Sequence, residues 1–441
     1  MTASSKTPAR ATHAPRHRAK AIAAAAIGNG LELFDLTVFG FFAAVIGAQF
    51  FPSDNPTLSL LGSFATFALG FLMRPAGALL LAPLGDRLGR KQLLSLTMAL
   101  MGCASLVIAL LPNYATIGLA APLLLVLMRL IQGFAAGGEW GGAVSMMVEH
   151  ASAKRRGLVG SLQQVGFGVG ILAGTACAFV LNNLLTADAL QAWGWRVPFV
   201  LGAAVAPLAL YIRRNVDESP AFASLAARGE QARAPLAETF TQHRAGVLCV
   251  IGLGTAGTAA GYISSQFMSS YATLHLGLPA KSVSAVILSA SILQAVLIPF
   301  WGWVSDKVGR VPVVGGAALA YLVLAVPMFQ LLASSPSLAH LSLVTLACAV
   351  LVAASFGPLP AMVSEFFPAH IRTTAVSVGY NFAAAVFGGS APLASTWLIT
   401  ATGQLAAPAY YAVGCALVST CTAIHLMRRP PRVFSVPMEA Q

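Results

Sequence analysis

Five charged side chains fall inside apolar stretches long enough to cross a bilayer: Glu32, Asp35, Arg74, Arg129 and Glu139. A charge at bilayer depth costs about 2.5–3.5 kcal/mol on insertion scales, so such residues mark binding, pairing or proton transfer. Glu32 and Asp35 lie three positions apart and share a helix face. Burial and mutual repulsion disfavour double ionisation. One of the two is therefore expected to carry a proton near neutral pH and release it on the other side. Arg129 lies about 16 Å deep at the helical rise. It suits a carboxylate held by two parallel bonds, or control of a nearby acid; a fixed salt bridge with Asp35 or Glu139 is the alternative. Arg74 attracts anions or anchors its helix. Glu139 sits between Gly137-Gly138 and Gly141-Gly142, where small residues let helices approach closely. The proton-coupling candidates are Glu32, Asp35, Arg129 and Glu139, and Arg74 and Arg129 are candidates for substrate.

Uncharged polar groups extend the candidate pocket: Gln163, Gln164, Tyr262, Gln266, Tyr380 and Asn381. Each can donate to a carboxylate, although polar side chains also join helices without touching substrate. The glycines Gly166, Gly168 and Gly170 read as helix-packing positions.

A charged signature occurs twice. Gly85-Asp86-Arg87-Leu88-Gly89-Arg90 matches Ser305-Asp306-Lys307-Val308-Gly309-Arg310, 220 positions later. Acids and bases at helix ends make charge-assisted bonds that break when one face opens. Asp86, Arg87, Arg90, Asp306, Lys307 and Arg310 are expected in inner loops that latch two halves. Glu149 with Arg155 and Arg156, and Glu365 with Arg372, read as further latches; simple charge anchoring at the membrane surface is the alternative.

The elements that position these groups follow from composition. The chain has 441 residues, 57% hydrophobic and 9% charged. A soluble protein carries roughly 25% charged residues, so this chain needs an apolar solvent. Spans are expected at about 21–50, 57–83, 92–111, 116–148, 157–184, 195–212, 244–272, 282–303, 311–333, 338–364, 371–400 and 407–427. With the N-terminus inside, 22 of the 26 Lys and Arg fall on the inner side. Arg196 and Lys281 fall outside, and Arg74 and Arg129 lie within spans. That asymmetry supports twelve spans with both ends cytoplasmic. The expected layout is a tail at 1–20, a six-helix bundle at 21–212, a central loop at 213–243, a second bundle at 244–427 and a tail at 428–441. Duplication of a six-span unit points to a transporter.

The doubled signature resembles the major facilitator superfamily. Gly28-Asn29-Gly30 through Asp35, Arg74-Pro75, Arg129-Leu130-Ile131-Gln132-Gly133, Trp193-Gly194-Trp195-Arg196, Glu365-Phe366-Phe367-Pro368 and Phe387-Gly388-Gly389 resemble its metabolite:proton symporter branch. That branch includes permeases for citrate, α-ketoglutarate, shikimate and proline/betaine. The resemblance implies an all-α membrane protein of twelve helices in two bundles, working by alternating access, with Arg129 in proton coupling. Ala82 stands where the signature usually opens with Gly, and Leu33-Phe34 where many relatives carry an aromatic pair. No long charged helix follows Arg432, unlike osmosensing carriers.

Other classes fit poorly. The net charge of +12 is dispersed between spans rather than gathered on a nucleic-acid-binding domain. The six cysteines lie in apolar stretches without metal-ligand spacing, and the eight His fall in tails, loops or span ends. The sequence shows neither a phosphate-binding loop nor a catalytic cluster, and its start, a basic tail running into a long apolar stretch with two acids, is not expected to be a cleavable signal; an output domain is not expected either. The expectation is a monomeric inner-membrane carrier, not an enzyme, with no cofactor, that couples protons to a small substrate. Two buried Arg suit a di- or tricarboxylate; a proline/betaine-type zwitterion is the alternative, and a non-transporting sensor a distant third.

Overall fold

A computed structural model of the chain describes residues 30–54, 56–214, 218–230 and 233–428. The two expected tails and the first part of span 1 lie outside the described residues, apart from Arg428. Ten described helices are long and apolar enough to cross a membrane. They are α2 (Leu61–Leu88), α3 (Arg90–Leu110), α4 (Ala120–His150), α5 (Ala153–Leu181), α7 (Arg244–His275), α8 (Ser282–Val308), α9 (Arg310–Ser334), α10 (Leu338–Ser364), α11 (Arg372–Thr402) and α12 (Pro408–Arg428). Two more helical segments complete the expected twelve: α1, residues 30–50, turning at Phe42, and α6, Val197–Arg214.

Helices α1–α6 and α7–α12 pack as two bundles with matching internal contacts. In the first, α2 lies on α4 and α3 on α6; in the second, α8 lies on α10 and α9 on α12. The bundles meet where α5 packs on α8 and α10, and where α11 packs on α2 and α4.

Glycine decides how closely α2 and α4 cross. A Cβ at Gly133 would lie 1.8 Å from the Gly70 carbonyl oxygen, and one at Gly137 would lie 2.1 Å from the Arg74 carbonyl oxygen. Only side-chain-free backbones fit there, and the crossing brings Arg74 and Arg129 into one region.

The expected inner loops are not loops. α2 runs through Asp86 and Arg87 to Leu88, and α3 restarts at Arg90. α8 runs through Asp306 and Lys307 to Val308, and α9 restarts at Arg310. One glycine makes each turn, Gly89 at φ 115° and Gly309 at φ 102°, a region closed to most side chains. The polar runs are thus helix ends, held rigidly enough to aim their charges.

The central segment also carries structure, in two short helices, Pro220–Arg228 and Pro235–Gln242. Each begins with Pro at its first position, where a missing N–H costs nothing. Glu218 leads into the first helix and accepts hydrogen bonds from the Arg90 and Lys91 amides, both 3.1 Å, at the start of α3. Glu238, in the second, meets His370 Nε2 at 2.6 Å.

Two helices are locally widened into π-turns. In α7 these cover Ile263–Phe267, just after Tyr262, and Tyr271–His275. In α11 one covers Ala384–Gly389, just after Tyr380 and Asn381. Such turns are rare and concentrate at functional positions.

Candidate functional site

Glu32 and Arg74 form a buried ion pair, Oε1 to Nη2 2.8 Å, with both side chains at most 2% exposed. Arg74 also donates from Nε to Asn381 Oδ1 at 3.1 Å. Asn381 in turn donates to the Gly137 and Ser377 carbonyls at 2.8 and 2.9 Å. One chain of polar contacts therefore runs from α1 through α2 to α11, across the junction between bundles. Phe71 lies 5.3 Å from the Arg74 guanidinium and stands edge-on to Tyr262, centroids 5.1 Å apart. Beside them Trp140 of α4 stacks on Tyr380 of α11, 3.6 Å between centroids and 8° from parallel.

Asp35 makes a separate centre within the first bundle. The Ser105 hydroxyl donates to Asp35 Oδ2, and Gln132 Nε2 donates to the same oxygen at 2.9 Å. Arg129 Nη1 donates to Gln132 Oε1 at 2.7 Å. Arg129 and Asp35 are thus joined through an amide, not by the direct salt bridge considered as the alternative. The guanidinium rests over Phe39 at 3.9 Å and near Phe199 at 5.6 Å. Aromatic faces offset part of the burial cost of a cation.

The two centres share a small cavity lined by Glu32, Asp35, Phe67, Phe71, Arg74, Arg129 and Gln132. About 20 Å³ is open to the centres of water-sized molecules. That is room for about one or two waters, too little for a multi-carbon metabolite. Glu32 Oε2, Asp35 Oδ1, and Arg129 Nε and Nη2 have no hydrogen-bond partner in the protein.

The remaining candidates Gln163, Gln164, Gln266 and Glu139 do not line that cavity. Gln163 and Gln164 are buried on α5, and Gln163 Nε2 and Oε1 and Gln164 Nε2 have no protein partner. Gln266 is half-buried, its Oε1 facing Gly40 of α1. Glu139 is buried on α4, close enough to Glu32 to interact with it electrostatically.

At the end of the bundle that carries the two glycine turns, the halves are bolted together. Asp86 accepts hydrogen bonds from the Thr374 amide and hydroxyl, both 2.8 Å, and from the Thr373 amide at 3.3 Å. Asp306 accepts from the Gly157 and Leu158 amides at 2.8 and 3.0 Å. Arg90 meets Asp86 and Glu149, each at 3.3 Å, and Arg372 meets Glu149 at 2.9 Å. Two expected pairings are corrected here. Glu149 pairs with Arg90 and Arg372 rather than Arg155, which is exposed. Glu365 pairs with Arg310 at 3.0 Å rather than with Arg372. The reason is the same in both: the side of each helix end facing the other elements sets the partner, not proximity in sequence. Burial pushes the Glu365 carboxyl above its usual range, against the pull of Arg310 and Arg156. Arg87 and Lys307 are exposed. Arg87 donates to the Arg233 carbonyl at 2.6 Å, while Lys307 lies 3.8 Å from the Trp303 ring, so neither of these contacts joins the bundles.

The sequence alone does not point to Ser105, Trp140, Glu218, Thr373 or Thr374, and it shows Gln132 only within a family motif. Its spacing, one turn after Arg129, is a usable signal, because i and i+3 share a helix face. Ser105 carried none, since a lone Ser in an apolar span is unremarkable.

Two repeated bundles, charged groups buried within and between them and a bolted end together define a multi-pass membrane transporter. A family model described as Sugar (and other) transporter matches residues 21–245, and one described as Major Facilitator Superfamily matches residues 249–438. The chain belongs to the major facilitator superfamily. It is 36% identical over 433 residues to the citrate-proton symporter of Klebsiella pneumoniae, covering 97% of this chain and 96% of the relative. It is 35% identical over 409 residues to the citrate-proton symporter of Salmonella typhi, covering 92% and 93%. The proline/betaine transporter of Escherichia coli (strain K12) is 32% identical over 415 residues, covering 92% and 82%. Among solved structures, the proton:xylose symporter XylE bound to 6-bromo-6-deoxy-D-glucose superposes with a TM-score of 0.76, covering 94% and 96% at 18% identity. At that identity the likeness speaks for the fold alone.

Proposed function

We propose that this chain is a monomeric proton-coupled symporter of the inner membrane that imports a small di- or tricarboxylate by alternating access. The observation that carries the reading is the Glu32–Arg74 pair, tied to Asn381 of the second bundle. Protonation of Glu32 would leave Arg74 without its counter-ion. A substrate carboxylate then replaces the Glu32 carboxylate, and Arg74 and Asn381 hold it at the junction of the bundles. Release of the proton restores the internal pair and expels the substrate. Only occupied and protonated, or empty and deprotonated, sites leave Arg74 neutralised, which is what coupling requires. Gln163, Gln164, Tyr262, Gln266 and Tyr380 complete the pocket once it opens.

Asp35 with Arg129 provides a second protonation centre, and Glu139 adds negative charge beside Glu32. Moving one net charge across the membrane is worth about 2.3 kcal/mol per 100 mV, so more protons than substrate charges would let the potential drive uptake. The distribution of Lys and Arg supports placing the bolted end, and both termini, on the cytoplasmic side. This conformation is then closed inward, with Asp86, Arg90, Glu149, Asp306, Arg310, Glu365 and Arg372 as the inner gate, and bundles at 21–212 and 244–427 rocking about the central segment. The two citrate-proton symporter relatives support the substrate class.

A proline/betaine-type zwitterion remains the second reading. The stacked Trp140–Tyr380 pair and Phe71 offer aromatic faces to a quaternary ammonium beside a carboxylate site, and transporters of that type are comparably related.

Proteoliposomes under an inward proton gradient, loaded with a pH dye, decide between them. Citrate, α-ketoglutarate, shikimate and betaine are offered separately. Internal acidification with a di- or tricarboxylate alone is expected. Acidification with betaine alone would overturn the carboxylate reading and keep the mechanism. Silence with all four rejects the proposal as stated. Glu32→Gln should lose uphill accumulation while retaining exchange of substrate across the membrane.

A further inference from the structure

We propose that Gln132 is the positioning residue of the Asp35 proton site: its amide holds the Asp35 carboxylate and the Arg129 guanidinium apart while linking them. The proposal rests on the reading of Asp35 as a protonation centre.

Gln132 is 4% exposed and lies one turn beyond Arg129 on α4. Its Oε1 accepts from Arg129 Nη1 at 2.7 Å. Its Nε2 donates to Asp35 Oδ2 and to Ser105 Oγ, both at 2.9 Å. A carboxamide presents an acceptor and a donor at opposite corners of one rigid plane. It can therefore face a cation with its oxygen and a carboxylate with its nitrogen at the same time. The flipped amide would oppose like to like on both sides, so the two charges themselves fix the orientation.

The consequence is a spacer. Coulomb attraction falls with distance, and a guanidinium in direct contact with a buried carboxylate would stabilise its ionised form strongly. With Gln132 between them, Arg129 still biases Asp35 but does not clamp it. The two carboxylate oxygens are also divided in role. Oδ2 is occupied by Ser105 and Gln132, while Oδ1 has no protein partner and Asp35 lines the small cavity. A proton arriving through that cavity adds to Oδ1, converts the carboxylate to the acid and leaves by the reverse step. No other group changes its bonds. Phe39 and Phe199 brace the guanidinium, so it stays in place when Asp35 becomes neutral.

The test needs no substrate. Purified protein in liposomes is titrated with pH while infrared difference spectra follow the carbonyl stretch of a protonated carboxylic acid. In the parent protein a titrating band is expected that Asp35→Asn removes. Gln132→Leu, close in volume but without donor or acceptor, should displace the midpoint of that band by at least about one pH unit, a tenfold change in proton affinity. Gln132→Asn, which keeps the amide on a shorter arm, should displace it by less and decides the matter should the Leu variant fail to fold. A midpoint unmoved in a folded Gln132→Leu protein, or in Gln132→Asn where only that variant folds, overturns the spacer role and leaves the Asp35 reading intact. A titrating band that survives whole in Asp35→Asn removes the Asp35 reading and the proposal with it.

Discussion

Asp86 and Asp306, 220 positions apart in the chain, make the same contact on opposite bundles: each accepts hydrogen bonds from the first-turn amides of the helix facing it. Asp86 binds the start of α11, and Asp306 binds the start of α5. A helix N-terminus carries unpaired N–H groups and a partial positive charge, so a carboxylate is the natural cap. The internal duplication of the chain thus appears as two crossed bolts at one end of the molecule.

Breaking either bolt should favour opening of that end. A hydrogen bond to a charged group contributes about 1.5–3 kcal/mol, and 1.4 kcal/mol is tenfold in population. Asp86→Asn and Asp306→Asn are each expected to lengthen the distance between spin labels at Leu88 and Val308, two exposed positions beside the glycine turns. Double electron–electron resonance measures it. Distance distributions identical to the parent's in both variants would show that the bolts do not hold the halves.

Arg372 should be irreplaceable by Lys. Besides Glu149, it donates from Nε to the Ser364 carbonyl at 3.0 Å and from Nη2 to the Phe367 carbonyl at 3.2 Å. Removing one partner of a buried pair costs about 3–5 kcal/mol. Arg372→Ala should lower the unfolding temperature in detergent, and Arg372→Lys should recover less than half of the loss, because a point charge cannot make three divergent bonds. Full recovery by Lys would reduce the residue to its charge.

The α2–α4 crossing should tolerate no methyl group. A Cβ at Gly133 meets the Gly70 carbonyl oxygen, whereas one at Gly316 meets nothing within 4 Å. Gly133→Ala is expected to cut uptake at least about tenfold, since a shift of 1 Å at a site can cost a hundredfold. Gly316→Ala, the control, should transport like the parent. Equal activity in the two would mean that the crossing is more yielding than its contacts imply.

His243, between the second short helix and α7, gives a pH prediction outside the membrane. Burial is the largest influence and holds its pKa below the ordinary 6.5, with Glu238 pulling it up and His370 pushing it down. A base with a depressed folded pKa binds protons more readily when unfolded. Its contribution to stability is therefore complete above pH 6.5 and declines as pH falls from there through the folded value. Thermal unfolding followed from pH 7.5 to 5 should show that decline, reduced in His243→Gln. His370 contacts Glu238 at 2.6 Å and so shares that carboxylate's surroundings; His370→Gln is run in parallel to separate the two.

Much of this molecule is legible in its sequence, for a physical reason. The scarcity of charge dictates a membrane solvent and the apolar run lengths dictate the spans, whereas the single-residue turns at Gly89 and Gly309, where the sequence suggests loops, are visible only in the structure. The buried charges Glu32, Asp35, Arg74 and Arg129 stand out against the apolar spans because each is costly there. Which charge meets which is a different kind of fact. Glu149 reaches Arg372 rather than Arg155, Arg74 reaches Asn381 of the other bundle, and Gln132 and Ser105 are drawn to Asp35 from two different helices. Those choices depend on the angle and closeness of helix crossings, set by backbone contacts such as Gly70 against Gly133 between residues 63 positions apart. Local sequence specifies a helix and its polar face; the partner of that face is decided only when the bundles close.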